Sequence, residues 1–262
     1  MKTLTRLTRR AYKVGNSAGV VVPKEWLNGF VEVKLVEPPL KIDSYNILKI
    51  LQQENIDTSE ILGIAVTGSY ARGEYSLSSD VDILVITDNL NKKISAGRYE
   101  IIIISEKTLE YQLDNMGFPI LPMLVECKPI INKKLFEKYK KNRLSKKALK
   151  WLIDTTKSSI KISKEQLSIL KELGDEKVSD NFSYSLILRL RTIYMIEKLM
   201  KHDSGHKKDF LGLIKKVSGS LTAYSGYVRV KNNKKIKKEL PIEEAENLID
   251  YLINKTGKLK NG

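Results

Sequence analysis

Val66-Thr67-Gly68-Ser69-Tyr70-Ala71-Arg72-Gly73-Glu74-Tyr75-Ser76-Leu77-Ser78-Ser79-Asp80-Val81-Asp82-Ile83-Leu84-Val85-Ile86 is the stretch on which the fold turns. Its two ends are apolar and its middle is not. Asp80 and Asp82 stand two apart at the head of an apolar run that reads as a strand. Side chains on a strand alternate between faces, so both carboxylates leave one face and Val81 the other. Two hard oxygen ligands so placed suit Mg²⁺, which takes few carboxylates and keeps phosphate oxygens and water in its other positions. Upstream, the apolar run 61–66 reads as a strand ending in Thr67-Gly68-Ser69. Gly68-Ser69 then opens a helix, where free backbone N–H groups hold phosphate and glycine permits close approach. A phosphate cradle followed by a metal-binding pair is a pattern for a metal-bound phosphate ligand.

Outward from this stretch, residues 42–132 alternate helical and strand signals. Ile47, Leu48, Ile50 and Leu51 recur at helical spacing in 45–54. The runs 81–86 and 99–104 read as strands, 106–115 as a helix, and 120–131 as mixed. Such alternation predicts an α/β domain. Before it, residues 10–14, 19–22 and 30–36 read as short strands, the last alternating apolar and polar with period two. Gly15-Asn16-Ser17 and Asn28-Gly29 are turns, and Pro38-Pro39 marks a boundary. After the α/β region the chain is mostly helical. The stretch 182–200 is rich in Leu, Ile and Tyr, Phe210 to Val217 carries helical periodicity, and an amphipathic helix follows Pro241.

A Gly-Ser pair, a gap of about ten residues and Asp-x-Asp before an apolar strand resembles the DNA polymerase beta superfamily of nucleotidyltransferases. The fuller string, Gly68 to Gly73 before Ser79-Asp80-Val81-Asp82, is similar to the minimal nucleotidyltransferases that accompany helical HEPN proteins and to antibiotic nucleotidyltransferases. The resemblance covers roughly residues 45–132. It implies an enzyme that moves a nucleoside monophosphate from ATP or another NTP to a hydroxyl acceptor, with Mg²⁺ held by Asp80 and Asp82. Gly68 and Ser69 would seat the triphosphate. It also implies a third carboxylate on a neighbouring strand. Glu100 and Glu126 both qualify. Glu100 is preferred, because the family places this acid on the next strand, where it binds a second metal or takes the acceptor hydroxyl's proton. Arg72 either clamps phosphate or pairs with Glu74 or Asp80.

Residues 6–37, through Gly15-Asn16-Ser17, the run Gly19-Val20-Val21-Val22 and Pro23-Lys24-Glu25, resemble AbrB/MazE-like swapped-hairpin DNA-binding domains. That resemblance implies an interlocked homodimer, since one copy is too small to bury a core. It also implies that Arg9, Arg10, Lys13 and Asn16 face DNA. A dimerisation module that touches no DNA is the alternative reading. The whole chain is thus expected to be α+β. A swapped-hairpin β module would span residues 1–40, an α/β nucleotidyltransferase domain with a mixed sheet 41–132, and a helical substrate or partner bundle 133–262.

Charge is divided sharply. Residues 1–130 hold 15 Lys/Arg against 16 Asp/Glu, while residues 131–262 hold 31 against 15. The basic half suits an RNA or protein acceptor, or is a lysine-rich solvated surface. Its densest run, Lys231 to Lys238, either tracks a phosphate backbone or is an exposed loop, and Tyr224, Tyr227 and Arg229 precede it. HEPN ribonucleases carry an Arg four to six residues before a His. His202 and His206, the only histidines, have none there, so no ribonuclease activity is expected and both read as surface residues. The single cysteine, Cys127, reads as a buried thiol, which excludes an intrachain disulfide and a cysteine-based zinc cluster. With no signal peptide and no run long enough to span a bilayer, a cytoplasmic protein with no membrane partner is expected. A rival of another class is a DNA-binding regulator of a toxin–antitoxin-like system with an inactive transferase domain. The intact Asp80 and Asp82 oppose it.

Overall fold

A computed structural model describes residues 7–34, 42–76 and 79–260. The first of these segments is a small hairpin, β1 (Tyr12–Val14) and β2 (Ser17–Gly19), paired antiparallel across the Gly15-Asn16 turn. A single 3-10 turn follows at Lys24–Trp26. The expected strand over 30–36 is not formed in 30–34, and 35–36 lie outside the described residues. The expected strand over 19–22 ends at Gly19. The reason is the lack of a neighbour. With no third strand beside them in the described chain, Val21, Phe30, Val31 and Val33 all stay exposed.

The α/β layer begins with α1 (Ser44–Gln53), whose first turn is capped by the Asp43 side chain accepting from Asn46 N–H. There follow β3 (Ile61–Val66), α2 (Gly68–Arg72), β4 (Val81–Thr87), β5 (Lys92–Ala96) and β6 (Tyr99–Ser105). Next come α3 (Glu106–Asn115), α4 (Ile120–Glu126), β7 (Lys128–Ile131) and α5 (Lys133–Lys140). The mixed reading of 120–131 resolves into one short helix and one strand. Strand β5, which the sequence did not signal, is an edge strand with only Ile94 buried. The sheet runs β5-β6-β4-β3-β7, with β4 and β6 parallel and all other pairs antiparallel. It is therefore mixed, as expected.

Period-two alternation divides the sheet's side chains into two layers. Val81, Ile83 and Val85 join Ile64, Val66, Ile101 and Ile103 in packing on Ile47 and Leu51 of α1. Leu84 and Ile86 join Ala65 and Ile104 beneath α3, α4 and α5. Asp82 shares the face of Leu84 and Ile86, so it lies where the second layer ends. Helix α5, which the sequence division placed with the helical half, buries Phe136 and Tyr139 in this layer.

The remainder is a helical body. It comprises α6 (Lys146–Glu172), α7 (Asp180–Met200), α8 (Lys207–Ser218), α9 (Thr222–Lys231) and α10 (Ile242–Lys260). A two-stranded ribbon, β8 (Lys177–Ser179) with β9 (Lys238–Pro241), clips the start of α7 to that of α10. Its core is centred on Leu186, Ile187, Leu190 and Ile193 of α7 with Ala245, Leu248 and Leu252 of α10. Near the far end of α7, Leu199 enters the layer beneath the sheet instead. That contact anchors the helical body beside the strand ends that carry the acids. Among the described residues no helix is long and apolar enough to cross a membrane.

Candidate active site

The loop between β3 and α2 is pinned to the head of β4. Thr67 donates its N–H to the Asp82 carbonyl at 2.8 Å, and its hydroxyl donates to the same oxygen at 3.3 Å. Gly68 then turns with φ +64°. A Cβ at this position would stand 2.0 Å from Asp82 Oδ2. Glycine is required twice over, by the left-handed backbone and by the carboxylate packed against it. Ser69 follows in the first turn of α2, and the helix stops at Gly73, again with positive φ.

The structure brings Asp80 and Asp82 together at this turn, Asp80 exposed and Asp82 half-buried. Burial, together with the negative charges of Asp80 and Glu126, raises the Asp82 carboxyl above its ordinary range, while Lys231 and Arg72 oppose the rise. A crowded carboxylate of this kind is relieved by a cation. Two carboxylates plus phosphate oxygens are the donor set that Mg²⁺ prefers, so these residues fit the metal that the sequence implied. Among the described residues no group of three His, Cys, Asp or Glu side chains is placed to hold a metal ion by itself.

The two claimants for the third carboxylate have different surroundings. Glu100 pairs in register with Asp82 across the parallel β4–β6 ladder, so both side chains leave the same face. Its carboxylate, however, turns toward the edge strand, 3.1 Å from Lys93 Nζ. Hydrogen bonds from Ser95 and Lys93 hold it below the usual carboxylate range. Glu126, at the end of α4, reaches the glycine turn itself. Its Oε1 accepts the Gly68 N–H at 2.7 Å, and its Oε2 accepts from Arg72 Nη1.

Arg72 takes the pairing reading with Glu74 (Nε to Oε2, 2.9 Å) and adds Glu126, which the sequence did not suggest as its partner. Burial alone would lower this guanidinium, but Glu126 and Glu74 outweigh it and raise it. Glu74 in turn meets Nδ1 of His206 at 2.9 Å and accepts the Lys207 N–H at 3.3 Å. A continuous chain of polar contacts thus runs from the helical body, through Glu74, Arg72 and Glu126, to the Gly68 N–H. His206 is exposed, as expected, and also meets Glu74. Its role had no local signal, since 132 residues separate it from Glu74. Lys231, the end of α9 and the start of the basic run, is the cation from the helical half whose charge reaches Asp82. The rest of that run, Asn232 to Lys237, is exposed.

Of the residues expected to face DNA, Arg9, Lys13 and Asn16 are exposed. Arg10 is engaged within the chain. Its guanidinium lies 4.0 Å over the Tyr75 ring and donates to the Gly73 carbonyl at 2.7 Å. Tyr75 stacks on Tyr70 at 4.2 Å, and Arg98 donates to the Tyr70 hydroxyl at 2.9 Å. Cys127 is buried, and burial pushes its thiol up to about 11.

The family model described as a nucleotidyltransferase domain matches residues 44–188. No curated protein matches the chain in sequence. Two solved structures are similar. A nucleotidyltransferase-like protein from Exiguobacterium sibiricum is 12% identical, with 81% of this chain and 74% of that one covered, at a TM-score of 0.37. A spectinomycin adenyltransferase from Enterococcus faecialis, solved with ATP and spectinomycin, is 14% identical, with 81% and 97% covered, at 0.42.

Proposed function

We propose, from the premise that this chain belongs to the nucleotidyltransferase domain family, that it transfers a nucleoside monophosphate from an NTP to a hydroxyl acceptor at the Gly68–Asp82 junction. The observation that carries this reading is the contact of the Asp82 carboxylate with the glycine turn. It sets a cation site directly against a phosphate cradle. Asp80 and Asp82 would hold Mg²⁺, which would supply charge to neutralise the triphosphate. Gly68 N–H, Ser69 and Arg72 hold the phosphates, and Lys231 adds positive charge near Asp82.

In the transfer, the acceptor oxygen bonds to the α-phosphorus and diphosphate leaves with the electrons of the broken bond. The acceptor's proton passes to Glu100, which reaches it by releasing Lys93 and turning along the face it shares with Asp82. Glu126 occupies two of the groups that the triphosphate needs, the Gly68 N–H and Arg72. NTP entry therefore displaces it. The acceptor is a protein, an RNA or a small molecule, met on the basic helical half. The amino-terminal unit makes the molecule a homodimer, and Arg9, Lys13 and Asn16 are its DNA-facing groups.

Calorimetric titration of each NTP, with and without Mg²⁺, tests this without knowledge of the acceptor. Binding should need Mg²⁺ and should be lost in Asp80→Asn and Asp82→Asn. Equal binding with and without the metal, or in either variant, overturns the assignment.

A further inference from the structure

A second cavity lies on the far side of α7 from α9. Asp180, Ser183 and Tyr184 face α9, where Arg229, Gly226 and Tyr227 meet them. Asn181, Ser185 and Arg189 recur every four residues, on the opposite side of the helix. There they line a groove of about 1010 Å³ against α6. The groove is separate from the Asp80–Asp82 centre, which Lys231 of α9 approaches.

Its polar end holds an anomaly. The Arg189 Nε is buried and has no hydrogen-bond partner among the described residues. A buried donor left unpaired is costly, so native structures rarely keep one. Asp154 lines the same groove yet does not bond this nitrogen. Ser185 stands one turn before Arg189, and Ser159 of α6 meets it across the groove, Oγ to Oγ at 3.5 Å. Two hydroxyls that bond each other and a guanidinium whose Nε lacks an acceptor line this end of the groove. Further along the groove Ile162, Ile169, Leu170 and Phe182 form an apolar strip, flanked by Gln166, Asn181 and Lys238. Ile162 and Ile169 are each more than half exposed. From Ser159 to Ile169 the helix rises about 15 Å, roughly the length of a twelve-carbon chain.

We propose that the α6–α7 groove binds an amphiphilic anion, with a phosphate or carboxylate head on Arg189, Ser185 and Ser159 and an apolar tail along Ile162 and Ile169. A charged acceptor that draws the Arg189 guanidinium into the groove gives its buried Nε the partner it lacks, and a guanidinium suits an oxyanion best. The tail covers isoleucines that otherwise face water, which is favourable. This site is independent of nucleotide transfer and stands or falls without it.

The test is calorimetric titration of the full chain with dodecyl phosphate below its micelle concentration, beside inorganic phosphate and dodecyl maltoside. Dodecyl phosphate should bind in the micromolar range. Arg189→Met should weaken it at least tenfold, with Mg²⁺-dependent NTP binding unchanged. Inorganic phosphate should fail for want of a tail, and the maltoside for want of a charge. Removing the unpaired N–H should leave the melting temperature of Arg189→Met equal to or above that of the native chain. If Arg189→Met does not fold, Ile162→Asp replaces it, blocking the tail and abolishing binding. Equal affinity for the maltoside, or full affinity in both variants, overturns the site. So does a native dimer that Ile162→Asp dissociates, because a second copy would then be the occupant.

Discussion

Oδ2 of Asp82 sits where a methyl group on Gly68 would have to go, 2.0 Å from the ideal Cβ position. The acid and the glycine are thus one unit, and neither can change alone. Gly68→Ala has to move the carboxylate or the turn, and it also strains a backbone at φ +64°. A displacement of about 1 Å at a reacting centre costs on the order of 100-fold in rate. Gly68→Ala should lower transfer by about that factor while the chain still folds. Steady-state assay of label transfer from NTP, beside far-ultraviolet dichroism, checks it. Unchanged turnover would mean that the contact has no part in the chemistry.

Replacing Asp82 should separate activity from stability. Burial and like charges raise its carboxyl, so the ionised form destabilises the fold above that raised value. Asp82→Asn removes this cost. The variant should therefore melt at a higher temperature than the native chain at neutral pH without metal. Added Mg²⁺ should raise the melting temperature of the native chain and leave that of Asp82→Asn in place. Scanning calorimetry at pH 7 reads both effects. A lower melting temperature in Asp82→Asn would contradict the crowding argument.

Glu100 and Glu126 should be separable by which kinetic constant each affects. Glu100→Gln leaves the cradle untouched and should slow kcat by a factor of about 100 or more with KM little changed. Glu126→Gln loosens a contact that NTP must displace, so NTP should bind more tightly or equally well, with kcat near native. The reverse pattern would make Glu126 the third acid.

Glu74 carries a pH dependence of definite sign. Burial opposes its ionisation, but Arg72, His206 and the Lys207 N–H outweigh that and hold it below its ordinary 4.5. Its contribution to stability is therefore fully present above about pH 4.5, and it fades as pH falls through the lowered value. The melting-temperature gap between the native chain and Glu74→Gln should be constant from pH 7 to about 5 and should close toward pH 3. A gap that widens on acidification would reverse the sign.

The amino-terminal unit leaves Val21, Phe30, Val31 and Val33 uncovered, and a swapped second copy would cover them. The full chain should therefore run as a dimer in light scattering, and a chain beginning at residue 41 as a monomer. Identical mass per particle in both would remove the main support for the swapped hairpin.

What was legible in the sequence was local. The strands 61–66, 81–86 and 99–104 were readable because each is a continuous apolar run flanked by polar turns. The Gly68-Ser69 turn and the Asp80–Asp82 pair carried their geometry in their spacing. Edge strand β5 was not readable, because Lys92, Lys93 and Ser95 face solvent and only Ile94 marks a core side. The Arg72–Glu126 and Glu74–His206 contacts span 54 and 132 residues, and no periodicity encodes such pairings. Glu126 could have been weighed more heavily only by knowing that α4 ends beside the glycine turn.

Arg10 ties the amino-terminal unit to the loop after α2. Its guanidinium closes a stack over Tyr75 and Tyr70 and bonds the Gly73 carbonyl at the end of α2. Anything that recruits Arg10, a DNA phosphate included, must first withdraw it from that loop. Coupling free energies are reciprocal. If loosening the stack weakens NTP binding, NTP must weaken whatever binds Arg10 by the same factor. Under that condition a single side chain couples the amino-terminal unit to the nucleotide through the contacts it makes or gives up.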